Sequence, residues 1–277
     1  MIKATKTCVA FFFGFLFAIS GHSAAVPGGI HVVNLPEHAS TISYRDREVL
    51  VLDNQAFLGV SIRTKPGEQT YWLIMDDGSR EKKSFLVEAK KYPEQHIKIA
   101  NKRMVNPIEE DLVRIRGERK RMDEQYNLQS DNPTNVRPFV KPVNGITSGA
   151  YGRRRVFNGE HRRPHSGMDI AAARGTPINA PAPGTVSLTG NFYFNGNTVY
   201  LNHGGGLVSM MCHMNEISVQ EEDVVDRGDT VGLVGATGRA TGPHLHWTVI
   251  LNGVPVDPET VMSILSDQSG SDQSGSE

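Results

Sequence analysis

At 277 residues the chain is long enough for two domains with separate cores, since domains run at roughly 100 to 200 residues. Its 29 lysines and arginines nearly cancel its 30 aspartates and glutamates. That balance excludes a global field drawing it to nucleic acid or to an anionic membrane, so charge-based recognition has to be local.

Residues 1–25 read as a secretory signal peptide. Lys3 and Lys6 form a positive n-region, "CVAFFFGFLFAIS" (8–20) is the apolar h-region, and Ser23 and Ala25 are small residues suited to cleavage before Val26. The apolar run falls short of the roughly 20 residues a helix needs to cross a bilayer, which makes an uncleaved anchor the weaker reading. Cys8 lacks the context of a lipoprotein cleavage site. Once the signal is removed, Cys212 is the one remaining thiol, and no intramolecular disulfide can form. Stability then has to come from a core or from a metal.

Residues 26–105 carry a β pattern. "HVVNL", "EVLVL", "AFLGVSI", "TYWLIM", "SFLVEA" and "HIKIA" are short β-branched or aromatic runs, separated by turn signals such as Lys65-Pro66-Gly67. They predict a small β domain of about six strands, and its histidines, His31, His38 and His96, have no catalytic spacing. A helix follows over 106–128, with Asn106 as cap, Pro107 at its first position and Glu109, Glu110 and Asp111 at the positive end of its dipole. Ile108, Leu112, Ile115, Met122 and Tyr126 fall near one face, which predicts an amphipathic connector. Its basic residues alternate with acidic ones, so it is not a nucleic-acid arm. The polar stretch 129–138 reads as a linker, a second domain spans 139–263, and the Ser-Asp-Gln-Ser-Gly repeats of 264–277 predict a disordered tail.

Six of the ten histidines lie between 161 and 246, in the most glycine-rich part of the chain. In "PHSGMDIA", Gly167 and Pro164 argue against a helix, and a straight strand would set His165 and Asp169 about 13 Å apart. A bend at Ser166-Gly167 would bring both to one ion. The stretch "HLHWTVILNG" alternates, with Leu245, Trp247 and Val249 on one side and His244, His246 and Thr248 on the other. Both imidazoles then point the same way, ~6 to 7 Å apart, a spacing that suits one metal ligand beside one catalytic group. A third piece, "GLVSMMCHM", follows the strand "NTVYLNH" and a Gly-Gly-Gly turn as a hairpin with His213 near its end. His161 and His203 lie outside these pieces and read as loop or turn residues. A Cys212–His213 nucleophilic pair is disfavoured because strand neighbours face opposite ways.

In this order the pieces resemble the lysostaphin-like or LytM-type zinc peptidases, peptidase family M23, over roughly residues 140–262. The motifs are "SGAYGRRR", "PHSGMDIAAARGTPINAPAPGTV", "GNTVYLNHGGGLVSMMCHM", "VVDRGDTVGLVGATGRATGPHLHW" and "LNGVPVDP". More narrowly, the chain looks like the two-domain members from Gram-negative bacteria. The resemblance implies a mainly β protein, with an antiparallel LytM/M23 peptidase domain preceded by the small β domain and the helix.

It also implies one Zn2+ per chain held by His165, Asp169 and His246, with a fourth position left for the attacking water. His213 and His244 correspond to the catalytic pair, one as base and one steadying the oxyanion, in an order left open. Many relatives have a tyrosine two residues before the histidine matching His213, and here Met211 stands there. Arg153, Arg154 and Arg155 are candidates for holding a substrate carboxylate, with a solvated basic patch as the alternative.

The implied activity is a periplasmic zinc endopeptidase acting on the peptide stems of cell-wall peptidoglycan, at the D-Ala to meso-diaminopimelate cross-link. A pentaglycine cutter is weaker, since no C-terminal wall-binding module follows the domain. The rival is an inactive LytM-type module that binds and activates an amidase, but such modules lose metal ligands and all three are present here. The N-terminal β domain, having no site of its own, is a candidate intramolecular inhibitor that covers the metal cleft.

Overall fold

The computed structural model describes residues 25–133 and 135–266. The segment read as an export signal, apart from Ala25, and residues 267–277 of the predicted tail lie outside the described residues. Among the described residues no helix is long and apolar enough to cross a membrane.

The protein is mainly β, as expected, and its centre is an eight-stranded antiparallel sheet. Its main path runs Val224–Val225, Gly184–Phe192, Gly196–Gly204, Leu207–Met214, His244–Leu251, Met168–Ala171 and Ile146–Gly149. Strand alternation gives this sheet two different faces. On one face Leu201, Met211, Leu245, Trp247 and Val249 join the largest core, closed beneath by Ile178 and Val231 of a small sheet formed by Pro177–Asn179, Thr230–Leu233 and Glu216–Ile217. Trp247 is fully buried, stacked on Phe139 at 5.7 Å, with its indole N–H 3.3 Å from the Ser209 hydroxyl. The opposite face carries Tyr200, Met210, Cys212 and Ile250, and it is covered by Met122, Tyr126 and Leu128 of the connecting segment.

The connecting helix is shorter than the sequence predicts, spanning Glu109–Gln125 with Ile108 at its N-cap. Asn106 does not cap it, because its side-chain amide is spent on Glu160 (2.8 Å). The Asp111 carboxylate serves instead, accepting the Ile108 N–H at 3.2 Å and two N–H groups of Arg103 at 3.1 and 2.8 Å. Arg114 donates to the Asn191 carbonyl (3.1 Å) and Glu118 accepts the Tyr193 N–H (2.8 Å), which docks the helix on the central sheet.

The N-terminal region has eight strands where six were expected. The run "EVLVL" breaks at Val49, sending Arg47–Glu48 to a four-stranded sheet and Leu50–Leu52 to a three-stranded one. The strand Ala39–Tyr44 escapes a hydropathy reading because four of its six residues are alanine, serine or threonine. "HIKIA" joins neither sheet: Glu94–Ile97 pairs in parallel with Arg154–Phe157, beside the metal motifs.

Two N-terminal residues, Leu50 and Phe57, are built into the largest core. The stretch read as a linker is stitched down as well, since Asn132 accepts the Val51 N–H at 3.1 Å and Val136 is buried. At the far end, the helix Pro258–Ile264 is capped by Asp257. Leu265, placed in the tail by the sequence, is 2% exposed and accepts the Phe139 N–H at 2.9 Å. Ile264 and Leu265 thus belong to the folded domain.

Because Phe57 is 1% exposed within that shared core, Phe57→Ala is expected to lower the stability of the whole chain by about 3–5 kcal/mol. Urea denaturation followed at Trp247 measures this, and an unchanged midpoint there would show that the two cores are not coupled.

Candidate metal centre

The central sheet brings three of the predicted residues to one point. Met168–Ala171 pairs with His244–Leu251 so that Asp169 lies directly opposite His246, and residues paired across an antiparallel ladder share a face. His165 precedes the strand, and the chain bends at Gly167. A Cβ at Gly167 would lie 2.3 Å from the Trp247 carbonyl, so only glycine lets this segment approach the neighbouring strand. The bend carries His165 Nε2 to 2.9 Å from Asp169 Oδ1, and His246 Nδ1 lies 2.7 Å from the same oxygen. The two ring nitrogens are 3.0 Å apart, and all three residues are buried.

The remaining ring nitrogens are engaged in ways that set the tautomers. His165 Nδ1 is 2.9 Å from the Ala150 carbonyl, which can only accept, so the proton sits on Nδ1 and Nε2 presents a lone pair. The Thr248 hydroxyl, 3.0 Å from His246 Nε2, can accept a hydrogen bond from it, a pairing that leaves the Nδ1 lone pair toward the site. Burial pushes the pKa of His165 below the ordinary histidine value and that of His246 to about 4, favouring neutral rings. Two imidazole lone pairs and one carboxylate oxygen therefore converge. These three groups could hold a metal ion, and fixing each ring through its other nitrogen is how proteins prepare metal-binding histidines.

His213 and His244 complete the cluster, their ring centroids 4.9 Å apart. His244 Nδ1 lies 2.8 Å from the Gly242 carbonyl and His213 Nδ1 2.8 Å from the Thr237 carbonyl, so both present Nε2 to the cleft. His244 Nε2 is 3.9 Å from Asp169 Oδ1. His213 reaches this face by breaking strand alternation. Cys212 is paired with His246 and faces the same side, so regular alternation would turn His213 into the core. A register shift opposite Asn197–Val199 and a φ of 64° at His213 swing its ring back, the re-aiming that β-bulges provide beside active sites. Burial, with the neighbouring His246 and His244, brings its pKa down to about 3.

The bulge also changes the reason for setting Cys212 aside. Alternation does not separate it from His213; burial does, pushing its thiol up to about 12 and so keeping it protonated and inert. Met211 points the other way, into the core against the Trp247 layer, so the missing tyrosine leaves the cleft face untouched.

The three arginines part company. Arg155 donates to Asp169 Oδ2 at 2.9 Å. Arg154 pairs with Glu94 of the adjoining parallel strand at 2.7 Å. Arg153 contributes its carbonyl, which accepts the His165 N–H at 2.9 Å. Arg239 was missed by the sequence reading. Its guanidinium lies 4.3 Å from the Phe194 ring centroid and 4.9 Å from that of Phe157, donates to the Met104 carbonyl at 3.2 Å and lines the cleft. Its position between Gly238 and Gly242 of "GATGRATGP" was the available signal. His161 lies in a short exposed strand. His203, read as a turn residue, is a core residue: its Nδ1 meets the Pro183 carbonyl at 2.8 Å and its Nε2 the Ser209 hydroxyl at 2.9 Å.

Peptidase family M23 matches residues 163–258, the stretch that holds the four clustered histidines and the aspartate. A crystal structure of a protein assigned to peptidase M23 from Pseudomonas aeruginosa is 37% identical, and the likeness covers 87% of this chain and 96% of that one with a TM-score of 0.72. The chain belongs to peptidase family M23. Among curated M23 relatives, the DD-carboxypeptidase/endopeptidase Mpg of Neisseria meningitidis serogroup B is 42% identical over 99 residues, 36% of this chain and 23% of that protein. The peptidoglycan DD-endopeptidase ShyA of Vibrio cholerae is 42% identical over 94 residues, 34% of this chain and 22% of that protein. The matched stretches thus span less than a quarter of the length of these curated relatives.

The buried His203 gives this M23 domain a pH signature separate from the metal cluster. Burial brings its pKa to about 4 from an ordinary 6.5. A histidine depressed by folding stabilises fully above its ordinary value, and that contribution is lost as pH falls toward the folded value. For chelator-treated protein, unfolding free energies at pH 7 and pH 4 should show a fall that is smaller by about 3 kcal/mol in His203→Gln than in the wild type. Equal falls in the two proteins would rule out this contribution.

Proposed function

We propose that the protein is a periplasmic zinc endopeptidase that hydrolyses peptide cross-links of peptidoglycan, at the bond between D-Ala and meso-diaminopimelate. The observation that carries this reading is the convergence of His165 Nε2, Asp169 Oδ1 and His246 Nδ1, with His213 and His244 presenting free Nε2 atoms beside it. A two-histidine, one-carboxylate donor set suits Zn2+ and leaves a coordination position open, as hydrolytic zinc sites require. The names of the Neisseria and Vibrio relatives support peptidoglycan as substrate and a DD-endopeptidase activity, the resemblance to Gram-negative members supports the choice of bond, and the leader-like sequence of residues 1–25 supports export.

Bound there, zinc supplies a Lewis acid that polarises a peptide carbonyl and eases deprotonation of water. The chain's own residues do the rest. With both Nδ1 protons held by backbone carbonyls, His213 and His244 offer lone pairs at Nε2 to take the proton of the attacking water. Once protonated, the same atom can pass that proton to the leaving amine, while the other ring steadies the oxyanion. The completeness of the donor set supports this reading over an inactive amidase-activating module.

The N-terminal region is proposed to hold the enzyme latent. Gln95, Ile97 and Ile99 wall a cavity of about 280 Å³ together with Asp169, His213 and His244. The connecting helix, through Ile115, Met122 and Tyr126, roofs a larger cavity of about 740 Å³ that also reaches His213 and His246. Both cavities are lined by residues of the candidate metal cluster, so segments that wall them would restrict access to it.

Purified protein loaded with zinc should convert cross-linked muropeptide dimers to monomers, and chelator should stop it; no conversion by zinc-loaded protein overturns the enzyme reading. His246→Ala is expected to lose the metal, whereas His244→Ala should keep it and lose turnover by about 10²–10⁴-fold. Equal metal loss in both variants would show that the two histidines do not divide the work. For latency, Glu94→Lys sets like charges against Arg154 and should raise turnover on dimers, and unchanged turnover would count against the cover.

A further inference from the structure

We infer that Arg155 is a positioning residue for the metal: it holds the Asp169 carboxylate so that one oxygen alone faces the metal, and it is not a substrate anchor. The inference rests on the metal-site reading above and adds a role for a residue outside the ligand set.

The two oxygens of Asp169 have separate environments. Oδ1 faces His165 Nε2 and His246 Nδ1, at 2.9 and 2.7 Å. Oδ2 accepts from Arg155 Nη2 at 2.9 Å. The side chains of this ion pair are 18% and 12% exposed, so water does not screen it. A guanidinium on the outer oxygen stops the carboxylate from turning to offer both oxygens to one ion. It thereby keeps a coordination position free for water, which hydrolysis needs.

Two further features hold the outer oxygen in place. A Cβ at Gly149, on the neighbouring strand, would lie 2.5 Å from Asp169 Oδ2, so the carboxylate fills the space that a larger residue would take. Arg155 itself is set by backbone pairing, since Arg154–Phe157 runs parallel to Glu94–Ile97 with Arg155 opposite Gln95. The guanidinium therefore approaches from a strand that supplies no ligand.

Two substitutions test this without removing charge. Arg155→Lys keeps the positive charge but loses the planar fork, and Gly149→Ala pushes on Oδ2 with the arginine intact. Zn2+ affinity is measured by chelator competition on the full-length protein, and the visible spectrum of the Co2+-substituted protein reads the coordination number. Both variants should bind Zn2+ about 10- to 100-fold more weakly than wild type, and their cobalt bands should weaken as a four-coordinate centre gives way to a five-coordinate one. Arg154→Lys, outside the site, should match wild type in both measurements.

A loss of less than tenfold, or an unaltered cobalt spectrum, overturns the inference. If the lysine variant fails to fold by circular dichroism, Gly149→Ala decides by the same criteria. Wild-type protein that binds no zinc would instead overturn the metal reading itself, so the two failures are distinguishable.

Discussion

A carboxylate as deeply buried as that of Asp169 has to have its charge met from several sides, because desolvation in a protein interior costs several kcal/mol per ion. Here the groups around it come from three separate parts of the chain: Arg155, which donates to it directly, and His165 and His246, whose lone pairs could share a cation with it. The bend at Gly167, the register that sets Asp169 opposite His246 and the run of Arg154–Phe157 alongside the site all serve that one convergence. Residues further out follow from it. Ala150 and Thr248 turn the two rings, and Gly149 leaves room for the outer oxygen.

The arrangement also shows why one sheet face can be reactive and the other inert. On the core face, Trp247, Met211 and Leu245 pack without polar gaps, apart from the His203–Ser209–Trp247 chain of hydrogen bonds. On the other face, the candidate ligand and catalytic histidines occupy one end of the same strands whose far end is apolar and covered by the helix. The bulge at His213 is the local exception to regular alternation. A non-glycine residue in the left-handed region costs of order 1 kcal/mol or more, and this one sits where a strained backbone turns an imidazole toward the cleft.

How much of this was legible in the sequence depended on how local the signal was. Period-two alternation placed His244 and His246 on one side, and Gly167 signalled the bend that unites His165 with Asp169, but it took the resemblance to M23 peptidases to single out His165, Asp169 and His246 as the donor set. His213 was found through its hairpin, but its orientation could not be, since a bulge is a mismatch between two strands and neither strand shows it alone. The separate tasks of Arg153, Arg154 and Arg155 were illegible for a similar reason: three consecutive arginines look alike until the parallel pairing with Glu94–Ile97 assigns their sides. Of "HIKIA" only His96 and Ile97 lie in a strand, and the partner of that strand lies 60 residues away. His203 read as a turn residue because glycines follow it, although burial and two hydrogen bonds make it part of the core.

The N-terminal region is attached to the peptidase domain in two ways of unequal strength, and that difference bears on how a cover could open. Leu50 and Phe57 are fully buried in the shared core, each contributing about 1.5–3 kcal/mol by burial. The strand Glu94–Ile97, by contrast, is four residues long and half exposed. Its ion pair with Arg154 joins side chains 38% and 58% exposed, and exposed pairs of this kind contribute roughly 0–1 kcal/mol. The elements nearest the metal are therefore held more weakly than the elements that anchor the region. On the latency reading, access to the cleft follows from release of the segment around 94–99 while the β-sheets of the N-terminal region stay docked through Phe57. The region then acts as a fixed base for a small movable wall, which exposes the histidines without exposing the core.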